Sequence, residues 1–490
     1  MEQACSAQVD GAVPSIPDGT RPIHDRMSAF RPRAELFIIL VLVLIVGLLV
    51  VGRIRTDEPS DGGPSLTETL GSLEDQLACL KRVTEEAFAE AQRGSAETSG
   101  SELLEEAAPA SLEEVAVKVE DVRDLTFERI PEPTYLSMEA LADRAAGYAE
   151  EYPDAEAVLD SALLSSLGAV SEGADLKDLT ATALSEQVAG FYDTETKEIV
   201  VSGDPEVGLD PIEEVTLAHE LEHALADQVL GLPVEEDFPP DGEEDSVQAA
   251  TALVEGDATL TMSLYSVEGA FLAPTAILGT ELGETQGLTR LPHYLQRSMI
   301  FPYIEGLGFV CGLYMDGGWA RVNDAYADAP TTTAQILFPE RYAQGEEAID
   351  PRDSRSPGPS WTRTDVQAFG AADLLFLFEA PGDDTARALE DPLGRAAAWA
   401  GGEVQLWTWR DGLDYATAIL LVQREGEQGL CDSVRDWYRS AFPNDPQASL
   451  QAGERLATSV PTESASLRCQ GNEVRLGIGL DLPTARRLVR

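Results

Sequence analysis

Two histidines one helical turn apart, with a glutamate after the first, constrain this chain more than any other feature. The stretch from Val215 to Asp227 reads VTLAHELEHALAD, with His219, Glu220 and His223 forming an H-E-x-x-H pattern. Only a helix sets residues i and i+4 side by side on one face. In that form the two imidazoles can share one tetrahedral Zn2+, and Glu220 stands beside them, placed to act on a metal-activated water. The competing reading is a solvated helix whose histidines align by accident, but the whole chain carries four histidines, and chance does not readily spend two on this spacing.

The flanking residues support a helix. Asp210 as N-cap, Pro211 at the first helical position and Glu213 three residues after the cap form a start signal. At 100° per residue, Leu217, Leu221, Ala224 and Leu225 fall opposite the histidines and make a core stripe. Glu220 flanks the histidine pair and is the expected general base. Glu222 points to the far side and reads as a surface charge. Asp227, one turn on, is either an acceptor that orients His223 or a solvated acid.

A catalytic zinc needs a third protein ligand and one open position. Glu255 is the best candidate. It lies in an apolar run, with Leu253, Val254, Leu260 and Leu264, inside a second expected helix from about Ser246 to Tyr265, and a buried acid needs a partner. Asp257 is the rival ligand. Gly256 would allow the two helices to approach closely. The acids of the Pro-rich connection between them, Gly231 to Asp245, are expected to face water. Upstream, Phe191-Tyr192 and Ile199-Val200-Val201 flank a polar turn and read as a β-hairpin, whose edge strand could hold an extended peptide by backbone pairing. For a group to stabilise a developing oxyanion, the candidates are Tyr303, His293 and Tyr265, with Tyr303 preferred and His293 more simply a satisfied structural histidine.

These blocks together resemble zincin-type metallopeptidases of the gluzincin-like, HExxH…E kind, and more narrowly a group of bacterial membrane-anchored metallopeptidases. The matching segments are Glu186 to Asp193, His219 to Gln228 and Ala252 to Ala258, with weaker matches at Phe301 to Val310 and Thr331 to Glu340. The similarity covers roughly residues 120 to 420. The resemblance implies a zincin-like fold, His219, His223 and Glu255 as zinc ligands, and Glu220 as catalytic acid/base. The chain departs from the pattern where Glu and His would be expected and Ala334 and Phe338 stand, and where Thr259 follows Glu255 in place of an Asp.

The remainder sets the context. Leu36 to Gly52 carries no charge, at the short end for a membrane-spanning helix, and no small-residue cleavage site follows, so an uncleaved anchor is expected over a signal peptide. Arg21, Arg26, Arg31 and Arg33 before it favour a cytoplasmic N-terminus. The expected organisation is a cytoplasmic segment 1–33, a transmembrane helix 34–52, an acidic stalk 53–121 and an extracytoplasmic α+β metallopeptidase-like domain 122–490, with Tyr135 to Leu167 helical and Leu406 to Trp409 a strand. The net charge of −53 excludes nucleic acid as a natural partner, because phosphate repulsion would dominate. Cys79, Cys311, Cys431 and Cys469 follow the anchor; Cys431–Cys469 is the most plausible disulfide, with Cys311 simply buried. The expected activity is zinc-dependent hydrolysis of a peptide or protein substrate. The alternatives are a non-catalytic interaction protein on the same scaffold and a zinc hydrolase of a non-peptide bond.

Overall fold

The computed structural model describes residues 79, 82–83, 111–150, 152–187, 189–204, 208–233, 243–268, 290–410, 414–443 and 464–490. The apolar segment 36–52 and most of the expected stalk lie outside these residues. The architecture is α+β, with helices packed around two sheets.

The principal elements run in chain order as follows. Helix α1 (Leu112–Arg123) leads into strand β1 (Thr134–Leu136), then helices α2 (Met138–Glu150), α3 (Asp154–Ser166) and α4 (Leu176–Gln187). A hairpin of β2 (Gly190–Asp193) and β3 (Glu198–Ser202) precedes α5 (Pro211–Val229) and α6 (Glu243–Glu268). The long helix α7 (His293–Ala327) and the short α8 (Thr333–Leu337) follow. The C-terminal part holds β4 (Trp361–Ala368), α9 (Ala371–Glu379), β5 (Trp399–Trp409), β6 (Tyr415–Gln423), α10 (Leu430–Ala441), β7 (Ser464–Gln470), β8 (Glu473–Gly479) and α11 (Leu482–Leu488).

The expected hairpin forms. Its turn is fixed by the Asp193 carboxylate, which accepts from the amides of Glu195 and Thr196, and by Lys197 in the left-handed region at φ 58°. The small sheet has the order β1-β3-β2, with β1 parallel and β2 antiparallel to β3. Strand β2 is therefore an edge strand. Tyr135 and Leu136, expected in a helix, pair instead with Val201 and Ser202 of β3; the helical pattern resumes at Met138. The second sheet is antiparallel throughout, in the order β4-β5-β6-β8-β7. The Trp-rich segment lies in β5, as its residue types suggested.

The start signal of α5 works as read: Asp210 Oδ1 accepts from the Glu213 amide, and Glu213 Oε2 accepts from the Asp210 amide, each at 2.9 Å. The core stripe Leu217, Leu221, Ala224 and Leu225 is fully buried. The opposite face is buried too, because α1, α6 and the hairpin pack around it. Helix α1 straddles the expected domain boundary at 121/122. Val115, Ala116 and Val119 are fully buried, so the helix belongs to the packed body and not to a stalk.

Gly256 does serve a close approach, but to a different helix. A Cβ on Gly256 would stand 2.3 Å from the Gly306 carbonyl oxygen of α7, and a Cβ on Gly306 would stand 2.1 Å from the Ala252 carbonyl oxygen of α6. The two helices thus meet backbone to backbone. Among the described residues, α7 is the one helix long and apolar enough to cross a membrane. It is mostly buried, however, and breaks at Gly317 and Gly318, the latter at φ 65°, so it packs as the central helix of the core.

Two disulfides close the framework. Cys431–Cys469 joins α10 to β7, as expected. Cys311 is not simply a buried thiol: it bonds to Cys79, 232 residues earlier, and pins that segment to α7.

Candidate metal centre

Helix α5 projects His219 and His223 toward Glu255 of α6, and all three side chains are fully buried. His219 Nε2 lies 3.1 Å from His223 Nε2 and 3.3 Å from Glu255 Oε2, and His223 Nε2 lies 3.4 Å from the same carboxylate oxygen. These spacings test whether a metal would fit. Donor atoms about 2.0–2.1 Å from a tetrahedral ion stand roughly 3.3 Å apart, so the three atoms form one face of a tetrahedron of the right size. Two imidazoles and a carboxylate also make a donor set suited to zinc.

The electrostatics are those of a dry donor cluster that could hold a cation. Burial pushes His219 below the usual histidine range and brings His223 down to about 4, so both rings are held neutral, the form whose lone pair binds metal. Burial raises Glu255 to about 7, against the pull of His219 and a hydrogen bond from Tyr303. Glu220 is fully buried, and no side chain among the described residues bonds its carboxylate oxygens. Its carboxyl is pushed well above the ordinary range by burial and then by the nearby Glu255 charge, countered by the backbone amide of Tyr192 in edge strand β2. A buried carboxyl served by one backbone amide alone costs free energy in any site that does not use it.

Asp257, the rival ligand, turns away from the histidines. Arg123 grips it with Nε and Nη2, at 2.9 and 2.8 Å, and Tyr326 donates to it at 2.9 Å. Arg123 is fully buried and also stacks over Trp319, 4.4 Å from the ring centre. Glu222 is a correction: it is not a surface charge but fully buried, 3.6 Å from Arg123 Nε and 3.8 Å from His223 Nδ1. Burial and then the Asp257 charge push its carboxyl well above the usual range. Nothing in the local helix pattern pointed to Arg123, almost a hundred residues upstream, so the burial of this face was not foreseeable from α5 alone.

Asp227 does not orient His223 by a hydrogen bond. It accepts from Tyr192 and Lys197, each at 2.6 Å, and ties α5 to the hairpin. Tyr303, on α7, is buried at the site, its ring stacked near His219 at 6.5 Å between centres, and its hydroxyl serves Glu255. His293 bonds to Glu379 at 2.9 Å, and Tyr265 donates to Glu214 at 2.5 Å; both are structural. Asp245, expected to face water, is buried and accepts from the amide and hydroxyl of Thr333 at the start of α8. Ala334 is buried in α8, so that segment acts as packing.

No protein-family model matches this chain, and no curated protein or solved structure matches it.

Proposed function

We propose that this chain is a zinc-dependent, zincin-like peptidase anchored to the membrane through residues 34–52, with its described body outside the cytoplasm. The reading rests on one observation above the others: three metal-type donor atoms converge at tetrahedral spacing, with a buried carboxyl, Glu220, beside them. His219, His223 and Glu255 would hold the ion, which when bound would polarise a carbonyl and acidify water. Glu220 takes a proton from the attacking water and returns it to the leaving amine. The charge of Glu255, the second cause of the raised Glu220 proton affinity, is then offset, so Glu220 ionises more readily. Tyr303 fixes the Glu255 carboxylate. Strand β2, at the sheet edge among the described residues and with its Tyr192 amide beside Glu220, offers backbone pairing to an extended substrate. A scaffold that only binds partners has no use for a buried Glu220 carboxyl, which disfavours the non-catalytic alternative.

The test is metal analysis of the purified protein followed by digestion of a broad peptide library, with chelator and zinc-readdition controls. One zinc per chain and zinc-restored cleavage are expected. His219→Ala and His223→Ala should abolish uptake and Glu255→Ala should weaken it severely, while Asp257→Ala should leave the ligand set intact. A folded wild type that takes up zinc yet cleaves no peptide would shift the reading to the interaction protein.

A further inference from the structure

Behind the three donor atoms lies a second layer that the proposed chemistry does not use. With Nε2 of His223 turned toward the donor cluster, its proton belongs on Nδ1, and that nitrogen has no hydrogen-bond partner among the described residues. The Glu222 carboxyl stands 3.8 Å away on one side, with the Asp257 carboxyl close to it on another. Glu222 has Arg123 on its other side at 3.6 Å, and Arg123 is itself locked by two bonds to Asp257 and by the Trp319 ring. All four side chains Arg123, Glu222, His223 and Asp257 are fully buried. A buried ring N–H without a partner and a buried carboxyl less than 1 Å beyond roughly normal bonding distance are placed to meet.

We infer that Glu222 is a positioning residue for His223: its carboxylate accepts the Nδ1 proton when Nε2 is engaged by metal, and Arg123 from α1 holds it in place. This rests on the metal-site reading above. A carboxylate behind a ligating imidazole fixes the tautomer and ring orientation and makes the ring a better donor. The site is thereby tied to α1, the helix that follows the Cys79 segment, so its affinity for metal depends on a side chain about a hundred residues before the ligands.

The experiment titrates the full chain with Zn2+ against a chromogenic chelator, for wild type, Glu222→Gln and Arg123→Lys, with thermal melting of the metal-free forms as a control of folding. Glu222→Gln should weaken zinc binding about tenfold or more, with metal-free melting little changed. The Co2+-loaded variant should also show an altered ligand-field spectrum, which a purely structural role would not produce. Arg123→Lys keeps the charge but not the fork; it should weaken binding in the same direction, and the double variant should bind no more weakly than Glu222→Gln alone. If Glu222→Gln does not fold, Arg123→Lys alone decides. Zinc affinity within twofold of wild type in the folded variant overturns the role of Glu222. Failure of the wild type to take up zinc overturns the metal reading instead, and this inference with it.

Discussion

At the scale of single residues, the proposed chemistry rests on Glu220 and its surroundings. Its carboxyl is fully buried, next to His219 in the chain and close enough to Glu255 to feel its charge, and the group that favours its ionised form is the backbone amide of Tyr192. Replacing it with Gln keeps shape and removes the base. Glu220→Gln should retain zinc and melt no lower than wild type, because a neutral amide is easier to bury than a carboxylate. It should lose peptide hydrolysis by about 10²–10⁴-fold or more, measured as kcat/KM on whichever library peptide wild type cleaves best. Equal activity would sink the mechanism. His219, His223, Glu220 and Glu255 were legible in the sequence because each obeys a local rule: i, i+4 spacing, adjacency, or an acid within an apolar run. Asp257 against Glu255 was not decidable from the sequence. The choice is made by Arg123, whose partner no local pattern names. Glu222 failed for the same reason, since solvent exposure was inferred from one helix in isolation.

At the scale of elements, three helices set the distances across the site. Helix α5 carries the histidines, α6 carries Glu255, and α7 carries Tyr303. The α6–α7 crossing is held to backbone contact by Gly256 and Gly306. Since Gly256 adjoins Glu255, and Gly306 is one turn from Tyr303, any separation of the helices moves a donor and the group that fixes it. Gly256→Ala would put a Cβ 2.3 Å from a carbonyl oxygen, and backbone cannot yield as a side chain can. We expect a loss of at least about 1–3 kcal/mol, the scale of overpacking a tight core, measured by denaturant unfolding, together with weaker zinc binding. Unchanged stability would mean the crossing is looser than described. The existence of α5, α6 and the hairpin was readable from caps, periodicity and turn chemistry. The packing partner of Gly256 was not, because a glycine announces close approach without naming what approaches. Strand β1 was missed because three residues give no period, and its pairing to β3 is parallel and long-range.

At the scale of the whole molecule, the fold class α+β followed from the alternation of strand and helix patterns. The boundary of the body did not follow. Glu-rich sequence before Val122 looks solvated, yet Val115, Ala116 and Val119 on one face of α1 are fully buried, and Arg123 at its end enters the site. The bridge from Cys79 to Cys311 extends this further upstream. Under the proposed anchor at 34–52, release of the body would depend on two chemistries at once. A protease that cuts between Cys79 and Leu112 divides the polypeptide but leaves the pieces covalently joined, so they part only when cleavage and reduction coincide. With a specific cleavage site introduced between Gly94 and Ser101, the cut full chain should run as one species without reductant and as two with it. Two species without reductant would show the bridge unformed. In an oxidising compartment the arrangement behaves as a lock with two keys, and a nick alone opens nothing.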